Sequence, residues 1–349
     1  MSKENLYIGW DIGAAHTKIT ILLNNKDTVK CSIISCELWK SLSRLKDIIE
    51  GVNDMYKKKF QIINLISMSA EMCDVFSSRK EGVKSVLSLF ERKGFINHIY
   101  SKDIGISKFN GFKQYASLAS TNWMAIPDYL KGMEKNVIAI DIGSTTTDIV
   151  LIKNHKCINK RHDDFSGLHT NELLYTGALR TPIYSVISSI ILNKRIYNVI
   201  PENFSTMSDI YRLLSIIRNK SDYTSTADGR SKSKKDTLQR ISRIFGFDFT
   251  KVNNDIIIKL SRKIMAAHLD QISYTIKGHI KNHFSGTRDL RVVGMGVGAI
   301  LIDILSKKNN WKYLSLNQYI NVKYDKRHYE PSDLAPSFLL SLLLKKYYE

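Results

Sequence analysis

The chain has 349 residues, of which 43% are hydrophobic and 24% charged, and a formal net charge of +19. This length allows two domains with separate cores, and no apolar run reaches the length of a membrane span. The basic residues form scattered clusters without interleaved aromatic residues, which favours a lysine-rich surface that attracts small anions over a nucleic-acid site.

The first predicted element is a strand, a short loop and a second strand over residues 6–22. The first apolar strand ends in Asp11-Ile12-Gly13, and small or hydroxylated residues follow before the second strand. Gly13 suits a tight turn with positive φ, whose backbone N–H groups can surround an anion. Asp11 is placed to hold a metal ion and Lys18 to contact a phosphate.

The next segment predicts a helix over residues 38–56, a buried strand over 62–68, and helices over 81–93 and 115–124. Four charged side chains follow the buried strand: Glu71, Asp74, Arg79 and Glu81. Charged groups beside a buried strand need partners or a ligand. The sequence is compatible with two interpretations of this segment, a ligand site or a cluster of ion pairs at the surface.

The second half of the chain repeats the first hairpin over residues 137–151. Asp141-Ile142-Gly143 ends its first strand, and Ser144, Thr145 and Thr146 form the loop. One copy alone is compatible with an ordinary hairpin, but a repeat of the whole pattern reports on architecture. We therefore expect two facing loops that clamp a polyphosphate, with Mg²⁺ held by Asp11 and Asp141.

A strand, a Gly-rich turn and a helix are predicted over residues 290–301. Gly294, Gly296 and Ala299 also fit the dinucleotide pattern G-x-G-x-x-A. That pattern belongs at the start of a βαβ unit with an acidic residue further on, and no such unit follows here. A turn within a larger phosphate-binding fold is therefore favoured.

The predicted lobes cover residues 1–130 and 131–349, with a mostly helical insertion at about 170–285. The last predicted helix, over residues 336–348, is a candidate to cross back to the first lobe. Two segments of the second lobe carry candidate ligand groups, Arg180 before Thr181-Pro182 and the turn Asp228-Gly229-Arg230. An exposed arginine and a plain surface turn are the structural alternatives.

The order of these elements resembles the superfamily of actin, sugar kinases and Hsp70. In that superfamily two hairpin loops bind phosphate, and a late Gly-rich turn binds adenosine. The resemblance implies an α/β fold of the actin-like ATPase (ribonuclease H-like) class, with two lobes and a largely helical insertion in the second.

More specific segments resemble one family, the hydantoinase/oxoprolinase-related proteins of tetrahydromethanopterin-linked C1 transfer. They are residues 11–13, 69–83, 121–123, 141–148, 174–182, 226–230 and 294–299. The resemblance implies a Mg²⁺-dependent transferase of methanofuran-type cofactor biosynthesis. Such an enzyme joins a furanylmethyl diphosphate to the phenol of γ-glutamyltyramine, or of a tyrosine analogue, and releases diphosphate.

Under this interpretation the phenol, with an unperturbed pKa of about 10, needs a general base. Glu71, Asp74 and Asp228 are candidates that the sequence does not separate. Arg180 is a further catalytic candidate, and Arg79 and Arg230 suit anionic substrate groups. The other candidates for substrate and phosphate binding are Gly13, Lys18, Gly143, Ser144, Thr145, Thr146, Gly294 and Gly296.

Two other classes share the predicted fold. An ATP-dependent kinase or hydrolase of small molecules is the main alternative, and a filament or chaperone module leaves the charged segments unexplained. The four cysteines lack a metal-binding or disulfide spacing, and the N-terminus lacks a signal-peptide profile. We therefore expect a cytoplasmic protein with no membrane or nucleic-acid partner, and leave nucleotide binding and homo-oligomerisation open.

Overall fold

The structure is a computed structural model that describes residues 3–23, 28–91, 94–110, 112, 114–250, 253–325 and 329–349. Contacts divide the chain into two compact units. Unit 1 contains residues 1–135, 150–167 and 315–349, and unit 2 contains residues 136–149 and 168–314. The sequence assigned residues 150–167 and the stretch before the last helix to the second lobe, whereas these contacts place them with the N-terminal hairpin. The last helix, a candidate to cross back to the first lobe, also lies in unit 1.

Unit 1 is built on a mixed sheet of seven strands within the described residues, in the order β15-β3-β2-β1-β4-β5-β6. The strands are β1 (Glu4–Ile12), β2 (His16–Leu23), β3 (Thr28–Ser35), β4 (Phe60–Met68), β5 (Ile96–Ser101), β6 (Gly105–Lys108) and β15 (Lys323–Tyr324). β1 runs antiparallel to β2 and parallel to β4. The ends of β1 and β4 therefore meet at one edge of the sheet, where Ile12 is opposite Met68.

Helices cover both faces of this sheet, which explains why seven of the nine residues of β1 are buried. The helices of unit 1 include α1 (Ser43–Tyr56), α2 (Arg79–Ser88), α3 (Ala125–Leu130) and α9 (Ala335–Tyr348). Leu6, Ile8 and Trp10 pack in one core with residues of α1 and α2. On the opposite face, a Cβ at Gly9 would lie 2.0 Å from the carbonyl oxygen of Ser337 in α9. Glycine at position 9 therefore lets the last helix approach the sheet closely.

A chain of buried and partly buried hydrogen bonds crosses three strands of unit 1. The indole of Trp10 donates to Asn64 (2.8 Å), whose amide donates to Asn97 (2.8 Å). Asn97 in turn donates to the carbonyl of Phe90 (2.7 Å). Since buried polar groups without partners are costly, this chain favours one register of β1, β4 and β5.

The second sheet has the strand order β10-β8-β7-β13-β14, and β9 pairs with β8. Its strands are β7 (Asn136–Ile142), β8 (Thr147–Lys153), β9 (Lys156–Cys157), β10 (Leu173–Leu174), β13 (Arg291–Met295) and β14 (Tyr313–Ser315). The remaining helices are α4 (Asp164–His169), α5 (Met207–Leu213), α6 (Lys234–Arg243), α7 (Asn254–His283) and α8 (Ala299–Asn309). The boundary between the units passes through β8.

One predicted helix was wrong. Residues 115–124 do not form one helix, because Ser120 adopts a left-handed conformation (φ 52°) between two 3₁₀ turns. The insertion also contains a two-stranded hairpin of β11 (Ser189–Leu192) and β12 (Arg195–Asn198). Asn193 and Lys194 both have positive φ at its turn, which matches the right-handed twist of paired strands.

Candidate active site

The first loop closes with a backbone hydrogen bond from the N–H of Gly13 to the carbonyl of His16 (3.1 Å). Gly13 does not have positive φ, contrary to the prediction. Glycine is instead needed for space, since a Cβ there would lie 2.8 Å from the His16 oxygen. Asp11 is buried and pairs with Lys18 across the hairpin at 3.4 Å.

The second loop closes in the same way, with the N–H of Gly143 donating to the carbonyl of Thr146 (2.9 Å). The repeat seen in the sequence therefore extends to the backbone of both loops. Gly143 also lacks positive φ, and Ser144 and Thr145 are only partly buried. That the two loops face each other stays a prediction.

The late Gly-rich turn lies against the end of β7. The N–H of Gly298 donates to the carbonyl of Ile142 (2.9 Å), and Gly296 has a φ of 79°. A Cβ at Gly296 would lie 2.2 Å from Oδ1 of Asp141. Gly294 instead lies buried within β13, where a Cβ would meet the ring of Tyr313 at 2.8 Å. Glycine at position 294 therefore lets the ring of Tyr313 pack closely against β13.

The segment that contains Arg180 packs directly on the second loop. Ser144 accepts hydrogen bonds from the backbone N–H groups of Leu179 (3.1 Å) and Arg180 (2.8 Å), and Gly143 accepts one from Ala178 (2.9 Å). A Cβ at Gly177 would lie 2.6 Å from the backbone nitrogen of Thr145. The structure therefore brings Arg180 to the second loop, although Pro182 starts only a short 3₁₀ turn.

The sequence analysis did not identify a group of hydrogen-bonded polar side chains that includes Thr176 of this segment. Thr176 and Tyr211 contact the two ring nitrogens of His268, at 2.7 Å and 2.5 Å. Burial lowers the pKa of His268 to about 4, so the ring is neutral at neutral pH. His268 replaces an apolar residue in the buried stripe of α7 between Ile264 and Ile272, and this was its only sequence signal.

Glu71 lies in unit 1, just beyond the shared edge of β1 and β4. It is 1% exposed, and Oε1 accepts a hydrogen bond from Ser120 (3.0 Å). Burial raises the pKa of Glu71, while hydrogen bonds from its own backbone and from Ser120 partly oppose the shift. Ser69 anchors this segment to the first loop, because its N–H donates to the carbonyl of Ile12 (2.9 Å).

The other charged residues after β4 have different surroundings. Asp74 is exposed, and Glu81 accepts hydrogen bonds from Ser77 near the start of α2, where Ser78 is the N-cap. Arg79 pairs with Asp163 at 3.2 Å. Glu81 is therefore explained by helix capping, whereas Arg79 lies in a charged cavity.

Asp228 lies within a network of ion pairs in unit 2, and Arg230 follows it two residues later in the same turn. Asp228 contacts the guanidinium groups of Arg240 (3.1 Å) and Arg243 (3.6 Å). Arg240 is 0% exposed and also contacts Asp209 at 2.9 Å. Arg230 is exposed and donates to Gln239 (3.2 Å). These contacts favour a structural role for Asp228 over that of general base.

The hairpin loops on two mixed sheets and the late Gly-rich turn define an α/β protein of the actin-like ATPase (ribonuclease H-like) class, as predicted. The hydantoinase/oxoprolinase family model matches residues 67–323. The chain belongs to this family.

Two relatives carry the name (4-{4-[2-(gamma-L-glutamylamino)ethyl]phenoxymethyl}furan-2-yl)methanamine synthase. The one from Methanocaldococcus jannaschii is 30% identical over 348 residues, which cover 98% of each chain. The one from Methanococcus vannielii is 32% identical over 218 residues, which cover 62% of this chain and 93% of the relative.

Among solved structures, nucleotide-free acetone carboxylase has a TM-score of 0.51 at 9% identity, covering 86% of this chain and 66% of the other. This likeness concerns the fold alone. In the part of the chain that the structure describes, no helix is both long and apolar enough to span a membrane.

Proposed function

We propose that the protein is a transferase of methanofuran-type cofactor biosynthesis. It joins a furanylmethyl diphosphate to the phenol oxygen of γ-glutamyltyramine, or of a tyrosine analogue, and releases diphosphate. The observation that carries this proposal is the 30% identity to the archaeal synthase over 98% of both chains. Its counterpart in the structure is the contact between residues 177–180 and the second loop.

The reaction exchanges one carbon–oxygen bond for another. The bond from the furanylmethyl carbon to the diphosphate oxygen breaks, and a bond from the same carbon to the phenol oxygen forms. The phenol proton passes to a base, and the diphosphate leaves with the electron pair of the broken bond. Since charge develops on the leaving group, donors aimed at it provide most of the stabilisation.

The second loop suits that task. Its partly buried Ser144, Thr145 and Thr146 offer hydroxyl and backbone donors, and Arg180 is held beside them through its backbone. Arginine can form two parallel hydrogen bonds to a phosphate group. We therefore assign the diphosphate to this loop.

Mg²⁺ is proposed as the counter-ion of the diphosphate. The described residues contain no group of three or more His, Cys, Asp or Glu side chains that could hold a metal. Mg²⁺ often uses one or two carboxylates and completes its shell with water and phosphate oxygens, which fits the buried Asp141. Asp11 is the second proposed ligand; it is also buried, and the ammonium of Lys18 lies 3.4 Å from its carboxylate. When bound, Mg²⁺ would neutralise charge on the departing diphosphate.

Among the three candidate bases, Glu71 has the most suitable surroundings. It is buried and its pKa is raised, so its carboxylate form is a stronger base than an exposed one. Asp74 is exposed, and Asp228 is occupied by two arginines.

The alternative function is that of an ATP-dependent small-molecule kinase or hydrolase, which the Asp-Ile-Gly loops and the Asp11–Lys18 pair also suit. Thermal unfolding with Mg²⁺ and diphosphate, furanylmethyl diphosphate or ATP separates the two functions. A ligand at 100 times its dissociation constant stabilises the native state by about 2.7 kcal/mol. We expect the two diphosphates to raise the melting temperature. Stabilisation by ATP alone would favour the kinase.

A further inference from the structure

A charged cavity of about 610 Å³ lies within unit 1, a volume typical of sites for small organic ligands. Its lining includes three cationic side chains and one carboxylate, from Arg79, Lys80, Lys102 and Asp163. Ala119 also lines it, directly before the Ser120 that binds Glu71. The cavity therefore adjoins the candidate base, and no sequence pattern had indicated Lys102 or Asp163.

Lys102 is the informative group of this cavity. Its side chain is partly buried, and burial lowers the pKa of its ammonium, whereas Asp163 and Glu71 raise it. Among the described residues, no carboxylate lies within 4.0 Å of its Nζ. A desolvated ammonium that lacks a close anion is placed to bind one from a ligand.

Asp163 provides the negative charge in this cavity. Hydrogen bonds from the hydroxyl and the N–H of Ser166 lower the pKa of Asp163, so it is anionic at neutral pH. Its Oδ2 faces Arg79 at 3.2 Å, and both side chains remain about one-third exposed. A carboxylate among cations disfavours a purely anionic ligand and favours one that carries both charges.

We propose that this cavity binds the free α-amino acid end of the γ-glutamyl group of the phenolic substrate, with Lys102 and Arg79 at its carboxylate and Asp163 at its ammonium. This inference rests on the proposed function, since the name of the two relatives contains a γ-L-glutamylamino group. That group carries a free carboxylate and a free ammonium on one carbon. The phenol at the other end is then directed out of the cavity.

The direct test is binding of γ-glutamylethylamide, which has the amino acid end but no phenol and so does not depend on transfer chemistry. Calorimetry should detect binding to the wild-type protein. Lys102→Met should weaken it about ten- to hundredfold, the scale of one lost hydrogen bond to a charged group. Lys108→Met, at an exposed position of β6, is the matched control and should bind normally.

Substrate analogues assign the two charges separately. Glutaryltyramine keeps the carboxylate but lacks the ammonium, so Lys102→Met should raise its KM and Asp163→Asn should not. With γ-glutamyltyramine both variants should raise KM, whereas the KM of furanylmethyl diphosphate should stay unchanged.

Each proposal can fail alone. Binding of γ-glutamylethylamide that depends on Lys102, without ether formation, would leave the cavity assignment intact and overturn the proposed function. Ether formation with an unchanged KM for γ-glutamyltyramine in Lys102→Met would overturn the cavity assignment. A higher KM for furanylmethyl diphosphate in that variant would place the diphosphate in the cavity and also overturn it.

Discussion

Gly296 and Asp141 lie so close together that a Cβ at position 296 would fall 2.2 Å from Oδ1 of Asp141. The two residues are 155 positions apart in a chain of 349. Their contact brings the late Gly-rich turn to the carboxylate that ends β7. The turn therefore fixes the position of the proposed Mg²⁺ ligand.

Gly296→Ala should displace the Asp141 carboxylate and destabilise the protein. Its φ of 79° alone costs an alanine about 1–2 kcal/mol, and the clash should add roughly 1–3 kcal/mol. Gly286→Ala is the matched control, because Gly286 has a φ of 77° but no atom within 4 Å of the position that a Cβ would take. Denaturant unfolding measures both. Equal losses of stability would contradict the close contact.

Asp141→Asn should lower turnover by a factor on the order of a hundred or more, because it would remove the charge that we propose holds Mg²⁺ near the leaving group. The melting temperature should change little, since asparagine has nearly the same shape. Initial rates over a range of Mg²⁺ concentrations provide the measurement. Full activity with unchanged Mg²⁺ dependence would show that Asp141 is not the ligand.

Arg180→Lys should reduce kcat/KM about ten- to hundredfold, since lysine keeps the charge but loses the planar pair of donors. Arg230 was predicted from sequence to have a similar task, but it is exposed and bonded to Gln239. Arg230→Lys is therefore expected to be nearly neutral. Steady-state kinetics with both substrates compares the two variants, and the reverse order would move the anion site to residues 226–230.

Glu71→Gln should abolish most turnover and raise stability at neutral pH. Because the pKa of Glu71 is raised, the folded state holds its proton more tightly than the unfolded state does. Stability from this group is thus present at low pH and is lost as pH rises through the folded pKa. Asp74→Asn, at an exposed position, should change neither quantity. A loss of turnover in Asp74→Asn alone would assign the base to Asp74.

His268 should make the protein less stable in mild acid. Its pKa is about 4 in the folded state and about 6.5 when unfolded, so the unfolded state binds the extra proton between these values. The stabilisation is complete above the unfolded pKa and is lost as pH falls toward 4, by roughly 3 kcal/mol in total. Melting temperatures from pH 7 to 4.5 should fall less steeply in His268→Gln. His169→Gln, at an exposed histidine, should follow the wild type.

The loops could be predicted from the sequence because their signals are local. An apolar strand, Asp-Ile-Gly and a second strand occupy about 15 consecutive residues, and the repeat confirmed that the pattern was meaningful. The strand after α1 and the late Gly-rich turn were recognised for the same reason. The prediction of positive φ at Gly13 and Gly143 was wrong. A glycine required for close approach has the same sequence signature as one required for positive φ.

The rest of the candidate site depends on contacts that no local pattern encodes. Arg79 and Asp163 are separated by 84 positions, and Thr176 and His268 by 92. Lys102 follows β5 in a segment that resembles any charged turn. From its neighbours in the sequence, Asp228 was as plausible a general base as Glu71. Only the positions of Arg240 and Arg243 in the structure showed that the carboxylate of Asp228 is paired with arginines.

The central claim is tested most directly by incubating the protein with furanylmethyl diphosphate, γ-glutamyltyramine and Mg²⁺ in the absence of nucleotide. The product is followed by mass spectrometry and the released diphosphate by an enzymatic assay. We predict one diphosphate for each ether formed, with no change when ATP is added. No ether without ATP, together with ADP formation when ATP is supplied, would contradict the transferase and support the kinase.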